Sequence, residues 1–463
     1  MSDLFDICII GAGPGGYVAA LRAAQLGARV ALIERQRVGG VCLNWGCIPT
    51  KAMVSSIELL VEIERAEEFG VVVSEPGFDF ARMMARKDQV VEQLVTGVES
   101  LLQARKVEVI AGSGQLISPT KVKVTDGSTE MVEARKIIVA TGSVAAKPPV
   151  PGLDLPGVLT SNEIVSLKEL PDDLVIVGGG VIGVEFATIF SALGTKVTII
   201  EMLPSILTTV DEELARRQQQ ALRKQGVDVH TRSPLKEIRD AREGLDVIFE
   251  GPKGEETVQA HPVLVATGRV PYTEGLNLQE IGVKTEKGAI LVDEHLETTV
   301  PGVYAIGDVT GGYMLAHVAS HEGEVAVENA LGRDSVISYE AVPNCVFTVP
   351  EIAGVGVMEQ EAKERGISYK KSRFPFTASG RALAMGQTTG LVKMICDQET
   401  GRVLGLHIMG PHATDLIAEG ALAIQCGATA EEVAATIHAH PTLAEAVREA
   451  ALGQGVGPIH AMK

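Results

Sequence analysis

The sequence predicts an α/β chain: two doubly wound nucleotide-binding domains followed by a C-terminal α+β domain. Three observations carry that prediction. An apolar strand, a glycine-rich turn, a helix and a second strand ending in glutamate occur in order near the N-terminus, and the same pattern recurs at residues 174–201. Downstream of each copy, an apolar strand ends in the same four residues, Val-Ala-Thr-Gly. From residue 341 the texture changes to short strands ("GLVKMICDQETGRVLGLHIMG") and then amphipathic helices. The length agrees, since 463 residues exceed one core at roughly 100–200 residues per domain.

The first copy is "DICIIGAGPGGYVAALRAAQLGARVALIER", Asp6 to Arg35. Ile7–Ile10 reads as a buried parallel strand. Gly11 permits the tight turn, Gly13 lets backbone approach a pyrophosphate, and Gly16 lets helix and strand pack closely. The helix N-terminus then offers amides and positive potential to phosphates. Glu34 ends the second strand, where it can accept hydrogen bonds from a ribose. The second copy, Leu174 to Glu201, places Gly178, Gly180 and Gly183 at the same positions. Glu201 would repel a 2′-phosphate and no Arg or Lys follows before Arg216, so this site should prefer NAD over NADP. Two such sites in one chain predict electron transfer between two cofactors, a flavin and a nicotinamide.

The Val-Ala-Thr-Gly strands end at Thr141-Gly142 and at Gly268. After the second comes "TTVPGVYAIGDVTGG" (298–312), an apolar strand that would complete the first domain, with Asp308 toward a ribityl hydroxyl. The expected organisation is a first nucleotide domain over 1–146, a second over 147–270, a return segment over 271–340 and a last domain over 341–463.

The net charge of −18 argues against a nucleic-acid or anionic-membrane partner, which need a basic face. No uninterrupted apolar run is long enough for a membrane span, and the N-terminus lacks a signal peptide's basic flank and cleavage site. The expected setting is therefore cytoplasmic. Six cysteines in so long a chain are no disulfide scaffold. Cys8, Cys345, Cys396 and Cys426 stand singly and read as core filler.

Cys42 and Cys47 differ. They lie in "GGVCLNWGCIPTK", residues 39–51, with no nearby histidine or second cysteine pair to complete a zinc site. In a regular helix they would be about 7.5 Å apart along the axis, with side chains diverging. A disulfide wants Cα atoms roughly 4.4–6.8 Å apart. The segment must therefore be broken or only partly helical, and Gly46 and Pro49 suit that. A helix starting near Pro49 would direct its positive end at the sulfurs and favour thiolate. Lys51 lies one turn into it. A dithiol reaction also needs a base, and "HAHPTLAEA" (438–446) supplies candidates. His440 precedes Pro441, which is suited to start a helix, and Glu445 can then reach back to hold one imidazole nitrogen. His438 is the second candidate.

With these residues in view, the chain resembles the dihydrolipoamide dehydrogenase branch of the flavoprotein disulfide reductases. The resemblance spans essentially the whole length and rests on "GGVCLNWGCIPTK", both glycine loops, "ATGRVPYTEGL", "YAIGDV", "MLAH", "VFTVPEIAGVG" and "HAHPTLAEA". It implies two Rossmann-like FAD/NAD-binding domains and a C-terminal α+β dimerisation domain. FAD would lie at Gly11, Gly13, Gly16, Glu34, Lys51, Thr141, Gly142 and Asp308, with Ala316 and His317 near the flavin. NAD would lie at Gly178, Gly180, Gly183, Glu201 and Gly268, while Glu185 would pair with Lys51 and contact nicotinamide. Cys42 would exchange with substrate and Cys47 contact the flavin. His440, oriented by Glu445, would be the base, contributed across the interface of a homodimer. No metal is implied. The implied reaction oxidises protein-bound dihydrolipoamide to lipoamide and passes electrons through FAD to NAD+. The implied partners are the lipoyl domains and acyltransferase core of 2-oxo-acid dehydrogenase complexes, or the lipoylated carrier of glycine cleavage.

Departures are Ala444, where the family has serine, and Val318, Ser320 and His321 after "MLAH". The chain lacks mercuric reductase's C-terminal cysteine pair and the basic residues that glutathione reductase places after the second domain's second strand.

Overall fold

We describe residues 4–127 and 129–462 in a computed structural model. The first sheet begins with Phe5–Ile10, flanked in parallel by Val30–Glu34 and by the C-terminal half of Met131–Val139. Glu108–Ala111 extends it beyond Val30–Glu34. Lys121–Thr125 and Ser113–Ser118 form an antiparallel flap beyond Met131–Val139. Val303–Ala305 pairs in parallel with Ile137–Val139, so the return segment contributes a strand to this first sheet. The near-continuous apolar runs match a parallel sheet buried on both faces: Ile7, Cys8, Ile9, Leu32, Ile137 and Ile138 have no exposed surface.

The second sheet is all parallel, in the order Asp228–His230, Lys196–Ile200, Asp173–Val177, Val263–Val265, Val158–Leu159. An antiparallel layer of Leu235–Asp240, Leu245–Gly251 and Gly254–Ala260 packs beside it. Two crossings join the nucleotide domains, and they meet as a two-stranded ribbon, Ser143–Ala145 against Arg269–Pro271. The C-terminal domain is a five-stranded antiparallel sheet, Pro343–Val346, Glu351–Gly356, Val403–Gly410, Leu391–Asp397 and Tyr369–Pro375. The helices Ala413–Gln425 and Glu445–Leu452 cover it.

One hydrophobic core crosses the domain boundaries and carries the cysteine helix. Met53, Val54, Ile57 and Leu60 of helix Cys47–Glu64 pack with Ile176, Phe186 and Phe190 of the second domain and with Val346, Ile352 and Met409 of the last. Each such burial stabilises by roughly 1.5–3 kcal/mol, so the helix is fixed from behind by two other domains. A buried ionic cluster reinforces that seam. Lys393, 1% exposed, places its Nζ 2.9 Å from Asp211 of the second domain and 2.6 Å from Glu359 of the last. Among the described residues no helix is long and apolar enough to cross a membrane.

Candidate active site

A continuous cleft of about 3090 Å³ runs between the nucleotide domains and on over the C-terminal domain as far as Arg402 and Gly427, and is lined by both glycine loops. The loops are built alike. Gly11 and Gly178 have φ of +102° and +111°, and a Cβ there would lie 2.4 Å from the carbonyl oxygens of Ala140 and Ala266. A Cβ on Gly16 or Gly183 would strike the carbonyl oxygen of Gly11 or Gly178, at 1.8 and 2.1 Å. Gly13 and Gly180 instead face open space. Each caps a helix, Pro14–Gln25 or Val181–Ala192, that has no side-chain cap, so first-turn amides remain for an anion. This cradle fits a dinucleotide pyrophosphate in each domain.

The two glutamates also have a job within the protein. Glu34 accepts from the Ala12 amide at 2.7 Å and the Gln36 amide at 2.8 Å. Glu201 accepts from Gly179 at 2.6 Å and Leu203 at 2.7 Å. Each carboxylate therefore clamps its own glycine loop and remains on the cleft wall. Thr141, Gly142 and Gly268 also line the cleft, beside the ribbon: the Thr141 hydroxyl donates to the Tyr272 carbonyl at 2.7 Å.

The cysteine segment is two helices, Gly40–Trp45 and Cys47–Glu64, broken at Gly46. The second starts at Cys47, two residues before the Pro49 expected from sequence. Proline tolerates any first-turn position, and here it is third, so it did not mark the start. The break puts Cys42 and Cys47 on different helices, both as free thiols lining the cleft. Cys47 lies at a helix N-terminus. The Cys42 S–H donates to it, and with the Lys51 ammonium nearby its pKa is lowered to about 7. Cys42 is pushed upward, by the hydrogen bond it donates to Cys47 and by burial. The pair is therefore polarised: the shared proton and Lys51 favour the thiolate at Cys47, and Cys42 holds its proton more tightly.

Lys51 Nζ lies 2.9 Å from both Glu185 oxygens, and Glu185 also accepts from the Phe347 amide at 2.9 Å. The Phe347 ring stands 4.4 Å from the ammonium. Glu185 is 4% exposed, so this pair joins the two nucleotide domains in a partly desolvated place. Asp308, in the turn Gly307–Thr310, accepts from the Ser143 hydroxyl at 2.5 Å, and Arg269 donates to that hydroxyl at 2.7 Å. Glu322, itself buried, holds the Gly307 amide at 2.5 Å and the Tyr339 hydroxyl at 2.7 Å. Ala316 and His317 begin the helix Ala316–Ala330 at the cleft edge, and His317 Nε2 donates to the Pro343 carbonyl at 2.9 Å. Of the departures from the family pattern, Val318 is buried, Ser320 bonds the Ala316 carbonyl and His321 is exposed.

Sequence reasoning missed Ser143, Arg269, Phe347 and Glu322. A signal existed for two of them: Ser143 and Arg269 each directly follow a Val-Ala-Thr-Gly, and those equivalent residues bond one another. Two other expectations are corrected. Cys426 is exposed, so it is not core filler; Cys345 packs half-buried against the C-terminal core while also lining the cleft, and Cys8 and Cys396 are buried. Pro441 does not start a helix. The chain turns, with Thr442 donating to the Ala439 carbonyl, and the helix begins at Glu445.

His440 Nδ1 meets Glu445 Oε1 at 2.8 Å, and the Thr442 amide donates to the other oxygen at 2.9 Å. The dyad does not line the cleft, and the His440 side chain is 78% exposed. Within one chain, the structure brings the thiols, both loops and the Lys51–Glu185 pair together and leaves the histidine apart.

A family model described as pyridine nucleotide-disulphide oxidoreductase matches residues 5–323, and that family's dimerisation domain matches residues 342–451. The dihydrolipoyl dehydrogenase of Geobacillus stearothermophilus is 43% identical over 98% of this chain and 97% of its own length. That of Halobacterium salinarum is 45% identical over 96% and 95%. The crystal structure of LpdA from Mycobacterium tuberculosis superposes with a TM-score of 0.90 at 32% identity, covering 97% of this chain and 99% of that one. The enzymes of this family use FAD and NAD(H). Two matching glycine cradles, a thiol pair beside a buried lysine–glutamate bridge and near-full-length similarity lead to one conclusion: the chain belongs to the pyridine nucleotide-disulphide oxidoreductases and, among them, to the dihydrolipoyl dehydrogenases.

Proposed function

We propose that the protein oxidises protein-bound dihydrolipoamide to lipoamide, with Cys42 and Cys47 as the exchanging pair. The observation that carries this reading is the placement of both sulfurs in the cleft between two nucleotide cradles, with Cys47 poised as thiolate by Cys42 and Lys51.

With the pair oxidised, His440 takes a proton from a substrate thiol at Nε2 while Glu445 holds Nδ1. The substrate thiolate attacks Cys42 Sγ, the Cys42–Cys47 bond breaks, and Cys47 leaves as a thiolate stabilised by Lys51 and the helix N-terminus. His440 releases the first proton to solvent and takes the second substrate thiol's proton, and the resulting thiolate attacks the substrate sulfur of the mixed disulfide. Cys42 leaves, is protonated from His440, and cyclic lipoamide departs. When bound, FAD would supply a two-electron acceptor for the dithiol and NAD+ a hydride acceptor for the flavin. The chain's residues that would hold these groups are Gly11, Gly13, Gly16, Glu34, Thr141, Gly142 and Asp308 on the first side, with Ala316 and His317 at its edge, and Gly178, Gly180, Gly183, Glu201 and Gly268 on the second. Lys51 and Glu185 stand between.

A homodimer suits the separation of base and thiols, each protomer lending His440 to the other's cleft. The partners would be lipoyl domains on a 2-oxo-acid dehydrogenase core or a lipoylated glycine-cleavage carrier, in a cytoplasm that keeps Cys345 and Cys426 reduced. Anaerobic titration of the yellow holoprotein with dihydrolipoamide tests the reading. It should produce a long-wavelength thiolate-to-flavin band and, on adding NAD+, NADH. Failure of dihydrolipoamide to reduce the protein would overturn it.

A further inference from the structure

The segment between helix Ala430–Ala435 and helix Glu445–Leu452 carries His440 and has no regular structure of its own. Two histidines two residues apart behave oppositely there. The His440 side chain points out, 78% exposed, while that of His438 is 6% exposed. His438 Nε2 lies 2.7 Å from Glu419 Oε1, and Nδ1 lies 2.9 Å from the Thr436 carbonyl. Both partners are acceptors, so the ring fills both contacts only by donating at each nitrogen. Glu419 belongs to helix Ala413–Gln425, whose Ile417 and Ala423 sit in the same core as Val447 and Ala450 of the helix that carries Glu445.

We propose that His438 and Glu419 are positioning residues for His440: a second imidazole–carboxylate pair braces the loop from inside while Glu445 holds the base itself. The inference rests on the reading of His440 as base. Its physical ground is that a base on an irregular segment must be held to a fraction of an ångström, since a 1 Å error costs on the order of 10²-fold. Glu445 fixes the ring of His440, but only one end of its loop. His438 anchors the other end to an element rooted in the same core, with a charge-assisted hydrogen bond of good length.

The test uses holoenzyme carrying Glu419→Ala, Glu419→Gln or His438→Gln. Two reactions are followed: reduction of the enzyme by dihydrolipoamide, which needs the base, and NADH-driven dye reduction, which does not. In Glu419→Ala and His438→Gln the first should slow about tenfold while the second and FAD content stay unchanged. Glu419→Gln, which keeps an acceptor oxygen, should recover part of the loss. Added to His440→Gln, the Glu419→Ala change should cause little further loss, because the base it positions is gone. A thiol reaction within about twofold of wild type in Glu419→Ala, or an equal fall in both reactions, overturns the brace. If His440→Gln itself leaves the thiol reaction unchanged, the reading of the base fails instead. Should Glu419→Ala not fold, Glu419→Gln carries the test: a slowed thiol reaction with dye reduction unchanged supports the brace, and no slowing or an equal fall in both overturns it.

Discussion

The sulfur side and the histidine side of this site are built by opposite means. Cys42 and Cys47 sit on two consecutive helices: the second is buried from behind in a core shared by three domains, and the first rests Leu43 against Val91 and Val95. Their charges are tuned by Lys51 and Glu185, residues inside the same chain. His440 and Glu445 are correctly paired with one another yet exposed and away from the cleft. The first half is complete in one protomer. The second is a finished part without its counterpart. Glu445 and the Thr442 amide fix an outward-facing imidazole, and the matched dimerisation domain, residues 342–451, contains that dyad.

The largest expected effect breaks the sulfur side. Cys42→Ser should abolish lipoamide formation while the protein still binds FAD and passes electrons from NADH to a dye; turnover at the wild-type rate would end the dithiol account. Next, His440→Gln should slow the thiol half-reaction by about 10²–10⁴-fold, read by stopped flow. The two variants together sharpen the comparison. Dimers mixed from Cys42→Ser and His440→Gln protomers at equal ratio should regain about a quarter of wild-type turnover, since half the dimers are hybrids with one intact site of two. No recovery after verified exchange would mean that base and thiols work within one chain.

A smaller effect concerns protons. The Cys47 pKa is lowered, so its thiolate persists above about pH 7 and is lost as pH falls through that value. Thiolate absorbance of the reduced enzyme should therefore titrate near 7, and Lys51→Met should move the midpoint upward; a midpoint near that of an ordinary thiol in the wild type would remove Lys51 from the site's electrostatics. The smallest effect is on the second nucleotide. Glu201→Arg should shift the ratio of kcat/KM toward NADP, but part of any loss will come from unclamping Gly179 and Leu203. An unchanged ratio would mean that another residue reads the ribose.

The sequence by itself determined the two cradles, their glutamates, the redox spacing and the His–Glu pair. Each depends on residues close in the chain, where backbone sterics leave few choices. A Cβ at Gly16 or Gly183 would collide with the loop that precedes it, so those positions are legible without any fold. Glu445 is likewise five residues from His440, within reach of one turn. Contacts between distant segments were legible only in part. The Lys51–Glu185 bridge spans 134 residues and was expected only through the family resemblance. The Ser143–Asp308 contact spans 165 and Ser143–Arg269 spans 126, and neither was anticipated. Where the cysteine helix begins, that Cys345 lines the cleft and that His438 turns inward to Glu419 were likewise decided by tertiary packing. Such pairs form because the packing of three domains brings them together. A local pattern records the steric needs of its own turn and carries no record of the surface it will meet.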